Sequence, residues 1–156
     1  MRGLTAREIE RRAAGPVTDR VVLDYEGRFL RRRTLTTVSG ASLFIDLPET
    51  VSLDAGDAFV TTDGARIAVE AAAAPLLEIP APPPGLVRFA WHIGNRHTPA
   101  QIEAGRLLIR ADHVMADMLA RLGAATRAVR EPFTPERGAY GTGRVHGHHH
   151  GGATDD

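Results

Sequence analysis

The sequence has no cysteine and no lysine; all 19 of its basic residues are arginine. Without cysteine there is no thiolate catalysis, disulfide scaffold, iron–sulfur cluster or cysteine zinc finger. Without lysine there is no Schiff-base chemistry and no P-loop lysine. Any metal must be held by imidazole, carboxylate, carbonyl or water. No apolar run approaches the roughly 18–20 residues that span a bilayer; the longest candidate, Val69–Ile79, is broken by Glu70, Pro75 and Glu78. Nor is there charge of one sign: 19 acids balance 19 bases, which argues against a general polyanion binder and so against nucleic acid as the partner. No HExxH pair, GxSxG elbow, GxGxxG or Walker loop occurs, so the chain is not expected to be an enzyme.

What is present is a globular composition, with 43% apolar and 24% charged residues over 156 positions. The opening MRGLTAREIERR is polar, unlike a signal-peptide core, and predicts a cytoplasmic protein without a membrane segment. Thr5 followed by Glu8 has the spacing of a capping box and predicts a short helix over residues 5–14. From Val17 onward VTDRVVLDY, RFLRRRTLTTV, SLFIDLP and ARIAVEA read as short strands, with Asp63-Gly64 a hairpin signal. Together they predict a small, mostly antiparallel β domain over residues 1–75. Within it Arg31-Arg32-Arg33 reads as a solvated strand or a partner-binding face, since no aromatic interleaving accompanies it.

AAAAPLLEIPAPPPG reads as a proline-stiffened linker in which Leu76–Ile79 forms a first strand. A helix follows, with Leu86, Ala90 and Ile93 on one stripe, Val87 and Trp91 beside it, and Gly94 at its stop. AQIEA and RLLIRA read as two strands around Gly105. Asp112 then caps a second helix with Val114, Met115, Met118, Leu119 and Leu122 on its apolar face and Gly123 closing it. ATRAVREPF is the last strand. The order β-α-β-β-α-β over residues 76–133 predicts a ferredoxin-like sandwich in a second domain, residues 76–143. The fold class is therefore α+β, with residues 144–156 a disordered His-rich tail.

Four of the seven histidines, His146, His148, His149 and His150, lie in the last eleven residues; His92, His97 and His113 are the others. The tail run is interrupted by Gly147 and followed by GGATDD, unlike an uninterrupted purification tag. A lone histidine is more often a capping or surface residue than a ligand. Three of them beside a four-histidine tail shift that weighing, because neutral imidazole suits nickel, copper and zinc. From Gly138 to His146 is about nine residues, an r.m.s. reach of roughly 15–18 Å. At that reach a tethered imidazole has an effective concentration on the order of millimolar. Imidazole-only ligation also suits a metal that is handed on rather than locked away.

The blocks FAWHIGNRHTPAQI and ADHVMADMLARLG, then EPFTPERGAYG before a Gly/His-rich end, resemble the UreE urease accessory protein family. The resemblance is strongest across residues 76–150. It implies a homodimeric nickel metallochaperone that delivers Ni²⁺ to apo-urease together with the urease maturation GTPase and other accessory proteins. It places His97, the histidine of GNRH, at the dimer interface, where a two-fold axis supplies the same residue twice. It assigns His113, in DHV, to a secondary metal position, though Ala111 stands where some members carry a further histidine. His146, His148, His149 and His150 are the tail ligands, and His92 is assigned to packing or hydrogen bonding. The N-terminal domain is implied to be a peptide-binding-like module.

Ligation needs neutral imidazole, so metal affinity is expected to collapse as pH falls through about 6.5. Cu²⁺ should bind at least as tightly as Ni²⁺ in vitro, and Zn²⁺ is a further competitor. Two other readings remain open: a nickel or zinc storage buffer dominated by the tail, and a metal-independent module that binds client peptides.

Overall fold

The structure, a computed structural model, describes residues 3–138. These divide into two compact units with the boundary between Ala72 and Ala73. The chain is α+β: the first unit is a curled β-sheet, the second a sheet with two helices. Among the described residues no helix is long and apolar enough to cross a membrane.

The N-terminal unit contains β1 (Gly3–Glu10), β2 (Asp19–Leu23), β3 (Phe29–Thr36), β4 (Ser42–Ser52), β5 (Ala58–Thr61) and β6 (Arg66–Ala71). They form one sheet in the order β2-β6-β5-β1-β4-β3. Pairing is antiparallel for β1/β5, β3/β4 and β5/β6, and parallel for β1/β4 and β2/β6. Strand alternation sends Leu43, Ile45 and Leu47 of β4 inward, where they meet Val21, Leu30, Leu35, Phe59, Ile67 and Val69. The amide of Val38 donates to the Arg20 carbonyl at 2.8 Å and draws the two edge strands together at one end. The β5–β6 hairpin turns where Asp63-Gly64 signalled it. Thr61 and Ala65 close the turn, and Gly64 takes φ +89°.

The expected helix over residues 5–14 is not formed; those residues supply most of β1 and the turn after it. Leu4, Ala6 and Ile9 are its inward residues, and a register shift between Ala6 and Glu8 spaces them unevenly. That bulge hides the two-residue period, and the Thr5–Glu8 pair then mimics a cap. Strand pairing on both sides overrides the local signal, with Ala6 opposite Ile45 on β4 and Thr61 on β5.

Two polar groups hold the ends of this unit. The buried Asp57 carboxylate accepts from Arg11 Nη1 at 2.9 Å, the Arg12 amide at 3.0 Å and the Asp54 amide at 2.9 Å. Arg28 is buried, its Nε donating to the Leu53 carbonyl and its Nη1 to that of Leu23, both at 3.1 Å. Burial pulls its pKa below the usual arginine value, against the opposing pull of Asp54.

The C-terminal unit contains β7 (Ala73–Pro80), α1 (Pro83–Asn95), β8 (Gln101–Ile102), β9 (Arg106–Arg110), α2 (His113–Arg121) and β10 (Arg127–Pro132). Its antiparallel sheet has the order β10-β7-β9-β8. The stretch read as a linker is strand from Ala73 onward. Pro75 is tolerated there because β9 reaches only as far as Leu76, leaving β10 as the single ladder partner at that position. Leu77, Ile79, Leu107 and Ile109 meet Leu86, Phe89 and Ile93 of α1 and Met115 and Leu119 of α2. Asp112 caps α2 as expected, accepting from the Val114 amide at 3.0 Å.

By alternation, Glu78 and Arg106 lie on the face away from the helices. Arg106 bonds three carboxylates: Glu78 at 2.9 Å, Glu103 at 2.9 Å and Glu131 at 2.8 Å. The hydrogen bonds from Arg106 hold all three carboxyls below the usual glutamate value. Groups with depressed folded-state pKa stabilise the fold fully above about pH 4.5, and the contribution is lost as pH falls below that.

Two outcomes are expected. Asp57→Ala strands two backbone amides and a guanidinium, and should cost about 2–3 kcal/mol in urea denaturation. Arg106→Gln should lower Tm most at neutral pH, with the gap to wild type closing as pH falls below about 4; a gap independent of pH would contradict the network's role.

Candidate metal centre

Helix α1 continues through Gly94, the residue expected to end it, and stops at Asn95. Gly94 is ordinary helix. The left-handed position that usually takes glycine falls instead on His97, at φ +57°. The His97 amide donates to the Gly94 carbonyl at 2.9 Å and the Thr98 amide to that of Ile93 at 3.3 Å, which is the Schellman closure of a helix end. A side chain in this conformation costs about 1 kcal/mol relative to a right-handed one. Both neighbours tie the turn to α2: Arg96 Nε donates to Met118 Sδ at 2.9 Å, and Thr98 Oγ1 to Met115 Sδ at 3.7 Å. The result is an exposed histidine on a hydrogen-bonded turn.

On the face of α1 away from the core, Val87 and Trp91 are 72% and 63% exposed. Gly94 continues that face one turn further, and a Cβ built there meets nothing within 4 Å. Val87, Trp91 and Gly94 thus form a smooth exposed strip that ends three residues before His97. The sequence pattern set Val87 and Trp91 beside the buried stripe; Phe89 takes the core position instead, with Leu86 and Ile93.

Two other histidines are among the described residues. His92 is partly buried and packs edge-on against Trp91, with ring centroids 5.0 Å apart. His113 is exposed as the first residue of α2. There the positive end of the helix dipole opposes a cation. Among the described residues, no three His, Cys, Asp or Glu side chains converge as a metal site. His146, His148, His149 and His150 lie outside the described residues.

The route of the chain after β10 was not legible in the sequence. Phe133 is buried, the Thr134 amide donates to Gln101 Oε1 at 2.9 Å, and the Glu136 amide donates to the Ala100 carbonyl at 2.8 Å. The chain has therefore passed from edge strand β10 to the opposite edge at β8. It arrives three residues from His97.

Residues 4–72 match the family model described as the N-terminal domain of the UreE urease accessory protein, and residues 74–156 match that of its C-terminal domain. Among curated relatives, a urease accessory protein UreE of Ruegeria pomeroyi is 58% identical over 132 residues, covering 85% of this chain and 87% of that one. One from Rhodobacter capsulatus is 53% identical, covering 85% and 83%. One from Paracoccus denitrificans is 54% identical, covering 88% and 86%.

The left-handed turn makes a test of its own. His97→Gly should be more stable than His97→Ala by about 1 kcal/mol in denaturant unfolding, since only glycine relieves the strain. Equal stabilities would mean that the turn carries no strain.

Proposed function

Because this chain belongs to the UreE urease accessory protein family, whose role is an accessory one in urease maturation rather than catalysis, we propose that it is a homodimeric nickel carrier that delivers Ni²⁺ to apo-urease. The observation that carries this reading is His97, an imidazole kept at a strained turn where glycine would serve the fold better. Strain of that kind persists where the side chain itself is needed.

One imidazole is a weak site, so a second protomer is required. The ferredoxin-like C-terminal unit dimerises through the exposed Val87–Trp91–Gly94 strip, and the two-fold axis sets His97 against its copy. Gly94 leaves room for close approach there. The tail supplies the remaining ligands, His146, His148, His149 and His150. Its root at Glu136 favours this: Ala100 is three residues from His97, at most about 11 Å along the chain. His146 lies ten positions beyond Glu136 in the sequence.

His113 is a weaker, secondary ligand. Exchange among imidazoles lets the ion leave for a tighter site, with the urease GTPase and other accessory proteins completing the transfer in the cytoplasm. The N-terminal unit, the peptide-binding-like part of the family, docks clients.

Calorimetric titration of Ni²⁺ into the whole chain, a chain lacking residues 144–156, and His97→Ala tests the reading. Truncation should leave one ion per dimer, and His97→Ala should remove that ion. Uptake unaffected by His97→Ala, or sedimentation as a monomer at saturating nickel, would overturn it.

A further inference from the structure

One end of the N-terminal sheet carries a cavity of about 400 Å³ that the metal reading leaves unused. It lies where β1, β2, β4 and β6 all begin, beside the turn from β3 to β4. Its lining is graded in depth. Ile67 is fully buried, Leu4, Asp19 and Ala41 are half-buried, and Thr18 and Ser39 are exposed. Leu4 and Ile67 belong to the hydrophobic core, so the deep part is apolar. The volume is near the lower end of the roughly 300–1,000 Å³ typical of small-ligand sites, which suits one long side chain rather than a length of peptide.

The polar part of the lining offers acceptors. Asp19 Oδ1 accepts from the Arg20 amide at 2.9 Å and the Ser39 amide at 3.2 Å, and Oδ2 accepts from the Ser39 hydroxyl. Hydrogen bonds from the Ser39 and Thr37 side chains hold this carboxyl down to about 2, so it is charged throughout the physiological range. Among the described residues no arginine or histidine forms an ion pair with it. The Ser39 hydroxyl spends its hydrogen on Asp19, and the Thr18 hydroxyl on the Arg66 carbonyl at 3.3 Å. Each of these two oxygens can therefore only accept further bonds.

The matching ligand is a cation that donates and never accepts, carried on an apolar stem. A lysine side chain has that form, with three N–H donors on a four-carbon chain. A guanidinium fork fits less well, because it wants both oxygens of one carboxylate and Oδ1 already serves two amides. A hard metal ion takes about six to eight oxygen ligands and has no use for an apolar floor.

We propose that this cavity receives a single lysine side chain of a partner protein, its stem against Leu4, Ala41 and Ile67 and its ammonium on Asp19, Ser39 and Thr18. This chain has no lysine, so a second copy cannot supply that side chain. The ligand chemistry follows from the cavity alone; the choice of a protein as its source rests on the client-docking role proposed above.

The test titrates a blocked Ala-Ala-Lys-Ala-Ala peptide into the isotope-labelled whole chain, read by amide NMR. The amides of Ser39 and Ala41 should shift. Norleucine in place of the lysine keeps the stem, removes the charge and should weaken binding at least about tenfold, as should Asp19→Asn. Asp19 also fastens the Ser39 turn, so Ala41→Leu supplies a second arm: it fills the cavity, spares the carboxylate and should abolish the shifts. His97→Ala should bind the peptide as wild type does, and Ala41→Leu should take up nickel normally, which separates this test from that of the nickel reading. No shift at all, equal binding of the norleucine peptide, tighter binding of an arginine peptide, or indifference to both Asp19→Asn and Ala41→Leu would overturn the proposal. Binding of n-butylammonium without binding of the peptide would overturn the protein source.

Discussion

Leu86, Phe89 and Ile93 occupy one stripe of α1, and their burial against Leu77, Ile79, Leu107 and Ile109 is the contact on which the C-terminal unit depends. Each such side chain contributes roughly 1.5–3 kcal/mol when buried. Three of them outweigh the cost of about 1 kcal/mol for a left-handed histidine several times over. The same contact fixes the rotation of α1 about its axis. Once Phe89 faces inward, Val87 and Trp91 must face outward, and the helix end must deliver His97 beside them.

Charge is used differently in the two units. In the C-terminal unit Arg106 is surrounded by Glu78, Glu103 and Glu131, and its nitrogens are consumed in tying β7, β9 and β10 together on one face. In the N-terminal unit Arg28 is spent on carbonyls inside the sheet. On the exposed face of that sheet Asp46 stands 3.2 Å from Arg32 Nε and 3.7 Å from Arg7 Nε. Having no lysine sharpens the contrast, because every cation in the chain is a planar, directional donor.

Much of the C-terminal unit was legible because its elements are long and well punctuated. Asp112 and Gly123 bracket α2, and apolar residues recur at helical spacing in both helices. β1 was not, because a bulge and a small residue, Ala6, conceal its inward face. β5 is four residues between turns and offers too little pattern to recognise. Arg28 reads as a surface residue in any sequence, and only the converging carbonyls of Leu23 and Leu53 show otherwise. At the candidate site, GNRH was visible as a motif, but Gly94 drew the helix stop to itself and concealed the strain at His97. The anchoring of Thr134 by Gln101 joins residues 33 positions apart and leaves no local trace.

The place of β1 in its sheet bears on the order in which the chain can fold. It precedes the other described strands, yet it lies between β4, with which it runs parallel, and β5. Gly3 waits for Ser42, and Glu10 for Ala58, before either finds its neighbour. Contacts so distant in sequence form slowly. As the polypeptide leaves the ribosome, β1 therefore remains unpaired until β4 and β5 have emerged, and only β6, which pairs with β5 and β2, is made later.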